Sequence, residues 1–206
     1  METYDKSNLD EDVLTRFHEI MVTTGKRDNF IVRHRGYFKD MLEDLAPYCR
    51  LYMVKYSYEK DFKRLSDKLK KQEKDKERIL AKIPELEKKF ESEEDADKKS
   101  RVEKKLNDQK NRLKEADRQI ESFNKKIKDI EPYKGQEIYL SGSIYMYYGN
   151  IAWYLYGASE NILRDTMPNF AMQWAMIKDS IDLGCNVYDF RGVSGDLNPD
   201  NPLYGL

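Results

Sequence analysis

Three short groups in this sequence carry side chains able to hold an anion or move a proton. Arg33-His34-Arg35, with Tyr37 one turn on from Arg33, stands at the entry to a helical pattern. A guanidinium beside the free N–H groups of a helix start can grip a phosphate or diphosphate. The plainer reading is a basic helix start in water. Trp153-Tyr154-Leu155-Tyr156 lies in a strand-like run, where alternation places Tyr154 and Tyr156 on one face. Two phenols there could line a cleft, or pack against a neighbouring helix. Asp189-Phe190-Arg191 ends a strand and opens a loop. Strand ends are common site positions, although an Asp and an Arg this close can simply pair.

Other chemistries lack their residues. His18 and His34 are the only histidines, and no zinc-spaced Cys/His set, HExxH or phosphate-gripping glycine loop is present. Metal catalysis is therefore not expected. Cys49 and Cys185 each lie in or beside an apolar run and read as buried free thiols of a reducing compartment. The opening METYDKSNLDEDVL is acidic and polar, unlike a signal peptide, and no apolar stretch approaches the length of a membrane span. A cytoplasmic location is the expectation.

The elements that must position these groups follow from the patterning. Asn8 to Lys26 predicts an amphipathic helix with Val13, Leu14, Phe17, Ile20 and Met21 as its apolar stripe, capped by Ser7 or Asn8 and ended by Gly25. Arg35 to Leu45 predicts a second helix closed by Pro47. Strands are expected at Cys49–Ser57, Glu137–Tyr148, Ile151–Gly157 and Cys185–Phe190, with Gly149-Asn150 as a hairpin turn. Asn161 to Leu183 predicts a helix that buries Phe170, Trp174, Ile177 and Ile181, with Gly184 past its end. Arg191 to Leu206 reads as loop.

Charge divides the chain. Of its 206 residues, 59–132 hold 24 Lys/Arg and 20 Asp/Glu, against a net charge of −1 for the whole. That excess is too small for a strongly basic nucleic-acid surface. Within the segment, apolar residues recur at steps of four and three, from Tyr58, Phe62, Leu65 and Leu69 to Phe90, and again from Val102 and Leu106 to Ile130. This is a heptad repeat in two arms, separated by the polar tip Glu91–Ser100. The pattern predicts an antiparallel coiled-coil hairpin with arms of roughly 50 Å, bent at Pro84 and too charged to lie in a core. The expected domains are 1–58 and 133–206, together one α+β domain, and the insert 59–132 between two of its strands.

GNIAWYLYGAS, RDTMPN and YDFRGVSGD closely resemble the corresponding segments of the Fem family of peptidoglycan bridge-forming aminoacyltransferases, the FemA-type members above all. The resemblance spans nearly the whole chain. It implies an acetyltransferase-like (GNAT-type) α+β domain carrying a coiled-coil insert. It implies transfer of an amino acid, glycine in FemA-type members, from aminoacyl-tRNA to an amine of a lipid-linked peptidoglycan precursor, with no metal or other cofactor. Arg33 and Tyr37 match residues that help bind the precursor, and Tyr154 and Tyr156 match paired tyrosines of the central strand. Asp189 and Arg191 match a motif at the cleft wall to which no role is assigned here. The coiled coil is implied to touch tRNA, and assembly with itself or with sister enzymes is a further expectation.

Two departures stand out. Family members carry two acetyltransferase-like domains, and this sequence starts where the second would. It also stops before the basic-aromatic strand whose lysine serves catalysis in relatives. The expectation is a fragment of a longer enzyme, impaired by itself and exposing an unpaired sheet edge. The rival reading is a non-catalytic module whose coiled coil recruits a partner enzyme. Convergence of Arg33, Tyr37, Tyr154 and Tyr156 on one concave surface would favour the enzyme.

Overall fold

The computed structural model describes residues 1–191. They fall into two compact units, one built from residues 1–56 and the chain from 137 onward, the other from residues 57–136. The first unit contains β1 (Glu2–Tyr4), α1 (Glu11–Asp28), α2 (Arg35–Asp44) and β2 (Cys49–Ser57). After the second unit, with α3 (Tyr58–Ser92) and α4 (Ala96–Ile130), it continues as β3 (Glu137–Tyr148), β4 (Ile151–Ser159), α5 (Pro168–Asp182) and β5 (Val187–Asp189). The five strands form one sheet in the order β1-β2-β3-β4-β5. β1 runs antiparallel to β2, β3 antiparallel to β4, and β4 parallel to β5. The architecture is mixed α+β.

One face of the sheet is covered by α1 and α2. Phe17, Ile20 and Phe38 from the helices pack there on Leu51, Met53, Ile144 and Ala158, so the apolar stripe read in α1 does face the sheet. The helix starts at a different cap, however: Asp10 accepts the N–H of Asp12 at 2.7 Å. It also runs past Gly25 to Asp28, where Asn29 takes the left-handed conformation. Gly25 is a contact residue, because a Cβ there would lie 2.4 Å from Cγ2 of Val32. The chain folds back against the helix at that point, which only a glycine permits.

The other face carries α5, and here the sequence reading is corrected. The helix begins at Pro168, preceded by a 3-10 turn at Arg164–Thr166. It turns Met172, Met176 and Ser180 to the sheet, while Phe170, Trp174 and Ile181 face solvent. Polar bonds and shape together set this rotation. The sheet presents two buried phenols, Tyr52 and Tyr145, to the helix. Tyr145 Oη lies 2.8 Å from Ser180 Oγ, and Tyr52 donates to Asp179. Leaving those buried hydroxyls unpaired would cost about 1–3 kcal/mol each. Methionines, adaptable in shape, fill the space around the two rings.

The second unit is a helical hairpin. Lys76 bonds Asp117 at 2.7 Å and Glu87 bonds Lys110 at 2.9 Å. Numbers rise along one helix as they fall along the other, so α3 and α4 are antiparallel. Leu65, Ile79, Leu106, Ala116 and Ile130 are buried among otherwise charged surfaces. The turn is shorter than the polar tip implied: Asp95 caps α4 by accepting the N–H groups of Asp97 and Lys98, each at 3.0 Å. α3 continues through Pro84. At its base the hairpin is closed by the Tyr58 N–H donating to the Gln136 carbonyl at 3.3 Å and by the Tyr58 hydroxyl donating to Glu131 at 3.2 Å.

Candidate active site

Arg33, Tyr37 and Tyr156 come together where the start of α2 meets β4. Two histidines shape the approach. His18 on α1 places Nε2 3.1 Å from the Arg33 carbonyl; a carbonyl only accepts, so this nitrogen carries the proton. His34 is the N-cap of α2, and its Nδ1 accepts the Tyr37 N–H at 3.1 Å. The first histidine fixes the backbone of Arg33 and the second that of Tyr37. Arg35 turns to Glu11 on α1, as does Lys39. Arg33 is exposed, its guanidinium 5.5 Å from the centre of the Tyr37 ring.

Tyr37 Oη and Tyr156 Oη are 2.9 Å apart, and the rings meet edge to face at 5.9 Å between centres. Phe38 supports Tyr156 from beneath at 5.3 Å. The Tyr156 phenol is pushed above its usual range, first by its bond to Tyr37 and then by burial, while the Arg33 cation pulls the other way. At neutral pH the Tyr156 phenol is therefore a hydrogen-bonding group and not a base. One O–H serves the pair and the other is left to donate outward, beside a guanidinium. That is a donor set for an anion: a phosphate, or the oxyanion of a carbonyl under attack.

Tyr154 does not join them. In the β3–β4 ladder Ile144 pairs with Tyr156 and Tyr145 with Tyr154, so Leu155 is an extra residue, a β-bulge. The bulge breaks the alternation that placed Tyr154 and Tyr156 on one face. Leu155 and Tyr156 pack on the α1/α2 side, and Tyr154 packs on the α5 side with Tyr52 and Tyr145. There its phenol crosses Gly157, where a Cβ would stand 1.6 Å from Tyr154 Oη. Burial pushes the Tyr154 phenol up to about 12.

Asp189 and Arg191 make mainly a local turn. Asp189 Oδ1 accepts the Arg191 N–H at 2.8 Å, and the two side chains approach at 3.8 Å. In the parallel register Asp189 lies beside Trp153. Tyr188 points to the α5 layer, so Asp189 and Trp153 share the sheet face of Tyr156. An open cleft of about 520 Å³ is lined by Ile151, Trp153, Val187, Tyr188, Asp189, Phe190 and Arg191, and not by Arg33, Tyr37 or Tyr156. In the sequence Trp153 reads only as part of an aromatic stretch, with no role of its own: its place beside Asp189 depends on the parallel pairing of β4 with β5, for which a single strand's pattern carries no signal. The expected loop beyond Arg191 lies outside the described residues. Among the described residues no cluster of three or more His, Cys, Asp and Glu could hold a metal ion, and no helix is long and apolar enough to cross a membrane.

The chain is similar to known proteins along nearly its whole length. The chain is 31% identical over 199 residues to a lipid II:glycine glycyltransferase of Staphylococcus aureus, an alignment covering 96% of this chain and 44% of that protein. The same identity and coverage hold for the lipid II:glycine glycyltransferase of S. aureus strain USA300. Among solved structures, the crystal structure of FemX superposes with a TM-score of 0.59 at 28% identity, over 99% of this chain and 47% of that one. The chain thus spans a little under half the length of these relatives. With the match to the FemAB family running from residue 6 to residue 206, the chain belongs to the FemAB family.

Proposed function

We propose that this chain provides the precursor-binding half of a tRNA-dependent aminoacyltransferase of peptidoglycan bridge synthesis. Its first unit acts as an acetyltransferase-like domain, and the hairpin insert, taken as residues 59–132 between host segments 1–58 and 133–206, contacts tRNA. The acceptor is an amine on a lipid-linked peptidoglycan precursor, the donor is glycyl-tRNA, and the reaction takes place in the cytoplasm. The observation that supports this reading best is the Arg33–Tyr37–Tyr156 donor set, in a chain whose relatives are lipid II:glycine glycyltransferases.

The reaction needs little beyond placement. The neutral amine attacks the ester carbonyl of aminoacyl-tRNA, forming a C–N bond as the C–O bond to the tRNA breaks. The amine loses a proton and the departing tRNA hydroxyl gains one. The ester is already activated, so positioning and charge stabilisation are the protein's contributions. Arg33 and the unshared phenolic proton hold a phosphate of the precursor, and the cleft along Trp153 and Asp189 receives the peptide part.

Transfer of labelled glycine from glycyl-tRNA to purified lipid-linked precursor tests the reading, run with this chain and with Arg33→Ala. Precursor binding, and whatever incorporation the chain supports, lowered tenfold or more by the substitution, roughly the value of one charge-assisted contact, is the expected result. Incorporation unchanged by the substitution would remove Arg33 from the site. A folded chain that neither transfers glycine nor binds precursor would overturn the proposal.

A further inference from the structure

Two histidines hold the Arg33–Tyr37–Tyr156 donor set, and they do so in opposite senses. His18 donates its Nε2 proton to the Arg33 carbonyl at 3.1 Å. His34 accepts: its Nδ1 takes the Tyr37 N–H at 3.1 Å, a bond shared with the His34 carbonyl at the same distance. Histidine is the side chain that changes its charge between about pH 5 and pH 8. A proton added to His18 leaves its bond in place, since Nε2 still donates. A proton added to Nδ1 of His34 occupies the lone pair that caps α2 and sets one N–H against another.

We propose that His34 is a positioning residue that acts as a pH-sensitive cap. Neutral, it holds Arg33 and Tyr37 in register with Tyr156; protonated, it releases them, so precursor binding is lost on acidification. The identity of the ligand rests on the functional reading above, whereas the cap stands on its own geometry. The turn is built around the imidazole. At Gly36, the second residue of α2, a Cβ would stand 3.1 Å from Nδ1 and 3.4 Å from Cε1 of His34. The glycine that lets the ring lie over the turn also loosens that turn, and α2 has no acidic residue in its first turn to steady it instead. Tyr37 is the third residue. Its ring lies 5.5 Å from the Arg33 guanidinium and 5.9 Å from the Tyr156 ring, so fraying the first turn displaces two of the three binding groups.

Nothing around the turn offsets a charge on the imidazole. Arg33 and Arg35 flank it in the chain. From α1 come His18 and Glu11, the carboxylate of the latter engaged by Arg35 and Lys39. β4 brings Tyr156, a neutral phenol. Among the described residues no carboxylate pairs with His34, and an imidazolium there would face the positive end of α2. A new cation would by itself draw an anion to the site, the reverse effect. His34 is exposed, however, and an exposed charge in salt acts weakly, while the cap governs where Tyr37 sits. The direction of the pH dependence separates the two.

Equilibrium binding of purified lipid-linked precursor, at constant ionic strength from about pH 7.5 to about pH 5.5, provides the test. Affinity should fall about fivefold on acidification, the effect of one N-cap bond. His34→Asn, whose amide oxygen caps at any pH, should flatten the curve and bind more tightly than His34→Ala. His18→Gln, which still donates, should keep the slope. The chain without ligand gives a second readout: protection of the Tyr37 amide from hydrogen exchange should fall over the same range and hold in His34→Asn. A slope that survives in His34→Asn, binding that tightens on acidification, or Tyr37 protection indifferent to pH would each overturn the proposal. Should the chain bind no precursor at any pH, the functional reading falls, and the Tyr37 amide alone decides the cap.

Discussion

Tyr37 and Tyr156 share a hydrogen bond that neither α2 nor β4 needs for its own backbone, so its loss should be felt in binding before stability. Tyr37→Phe or Tyr156→Phe keeps the ring packing and removes one donor. At about 1.5–3 kcal/mol for a hydrogen bond to a charged ligand, each should weaken equilibrium binding of lipid-linked precursor about tenfold or more, with an unchanged melting temperature. The double variant should cost little more than either single one, because each removal already breaks the pair. Unaltered binding in both would separate the pair from the site. The opposite holds for Tyr154, whose phenol occupies the space over Gly157. Gly157→Ala should evict that ring and lower stability by about 1–3 kcal/mol, as overpacking a close contact does; Tyr154→Ala in the same chain should recover part of the loss in a urea titration. Of the candidate residues, Arg33 and Tyr37 were legible as a local motif because a helix entry is written in neighbouring residues. The separation of Tyr154 from Tyr156 was not, since one extra residue in a strand shows only in the partner's register.

At the scale of elements, legibility depended on whether a helix's apolar side is its inward side. For α1 it is: Phe17, Ile20 and Met21 both set the periodicity and fill the core. For α5 the more hydrophobic row points out, and the buried row of Met172, Met176 and Ser180 looks weaker on the page. Its setting comes from Tyr145 and Tyr52 on the sheet, which bond Ser180 and Asp179. A helix sequence alone holds no trace of phenols 35 or 127 residues away in the chain. The consequence is measurable. Met176→Ala should cost about 2–4 kcal/mol, as other buried large-to-small changes do. Trp174→Ala, a larger truncation at an exposed position, should leave stability within about 0.5 kcal/mol. Dilute samples unfolded in urea give both values, and a reversed ranking would mean that α5 is turned the other way. β1 is a three-residue strand too short to leave a pattern at all.

For the whole molecule, composition sets one stretch apart. Forty-four charges in 74 residues announce a segment with little core of its own, and residues 57–136 are a separate compact unit. The other unit spends its aromatic residues on the sheet, and that choice gives the protein an alkaline limit. Burial pushes the Cys49 thiol up to about 12 from 9.0, and the Tyr154 phenol up to about 12 from 10.0. Tyr52 and Tyr188 are driven higher still, again by burial first. All four groups are neutral when protonated. In the unfolded chain they release their protons as pH passes through 9 and 10, while the folded chain keeps them. Between those values and the folded ones the native state binds more protons, so stability falls as pH rises. Each displaced unit is about 1.4 kcal/mol at full effect, and Cys49 and Tyr154 together place several kcal/mol at risk. The urea midpoint should therefore drop markedly between about pH 8.5 and about pH 11. Cys49→Ala should flatten the first part of that fall, since the thiol is the first of the four to ionise in the unfolded chain. A midpoint that holds steady across the window would mean these side chains are hydrated in the native protein, and that the two-faced sheet core is not packed as described.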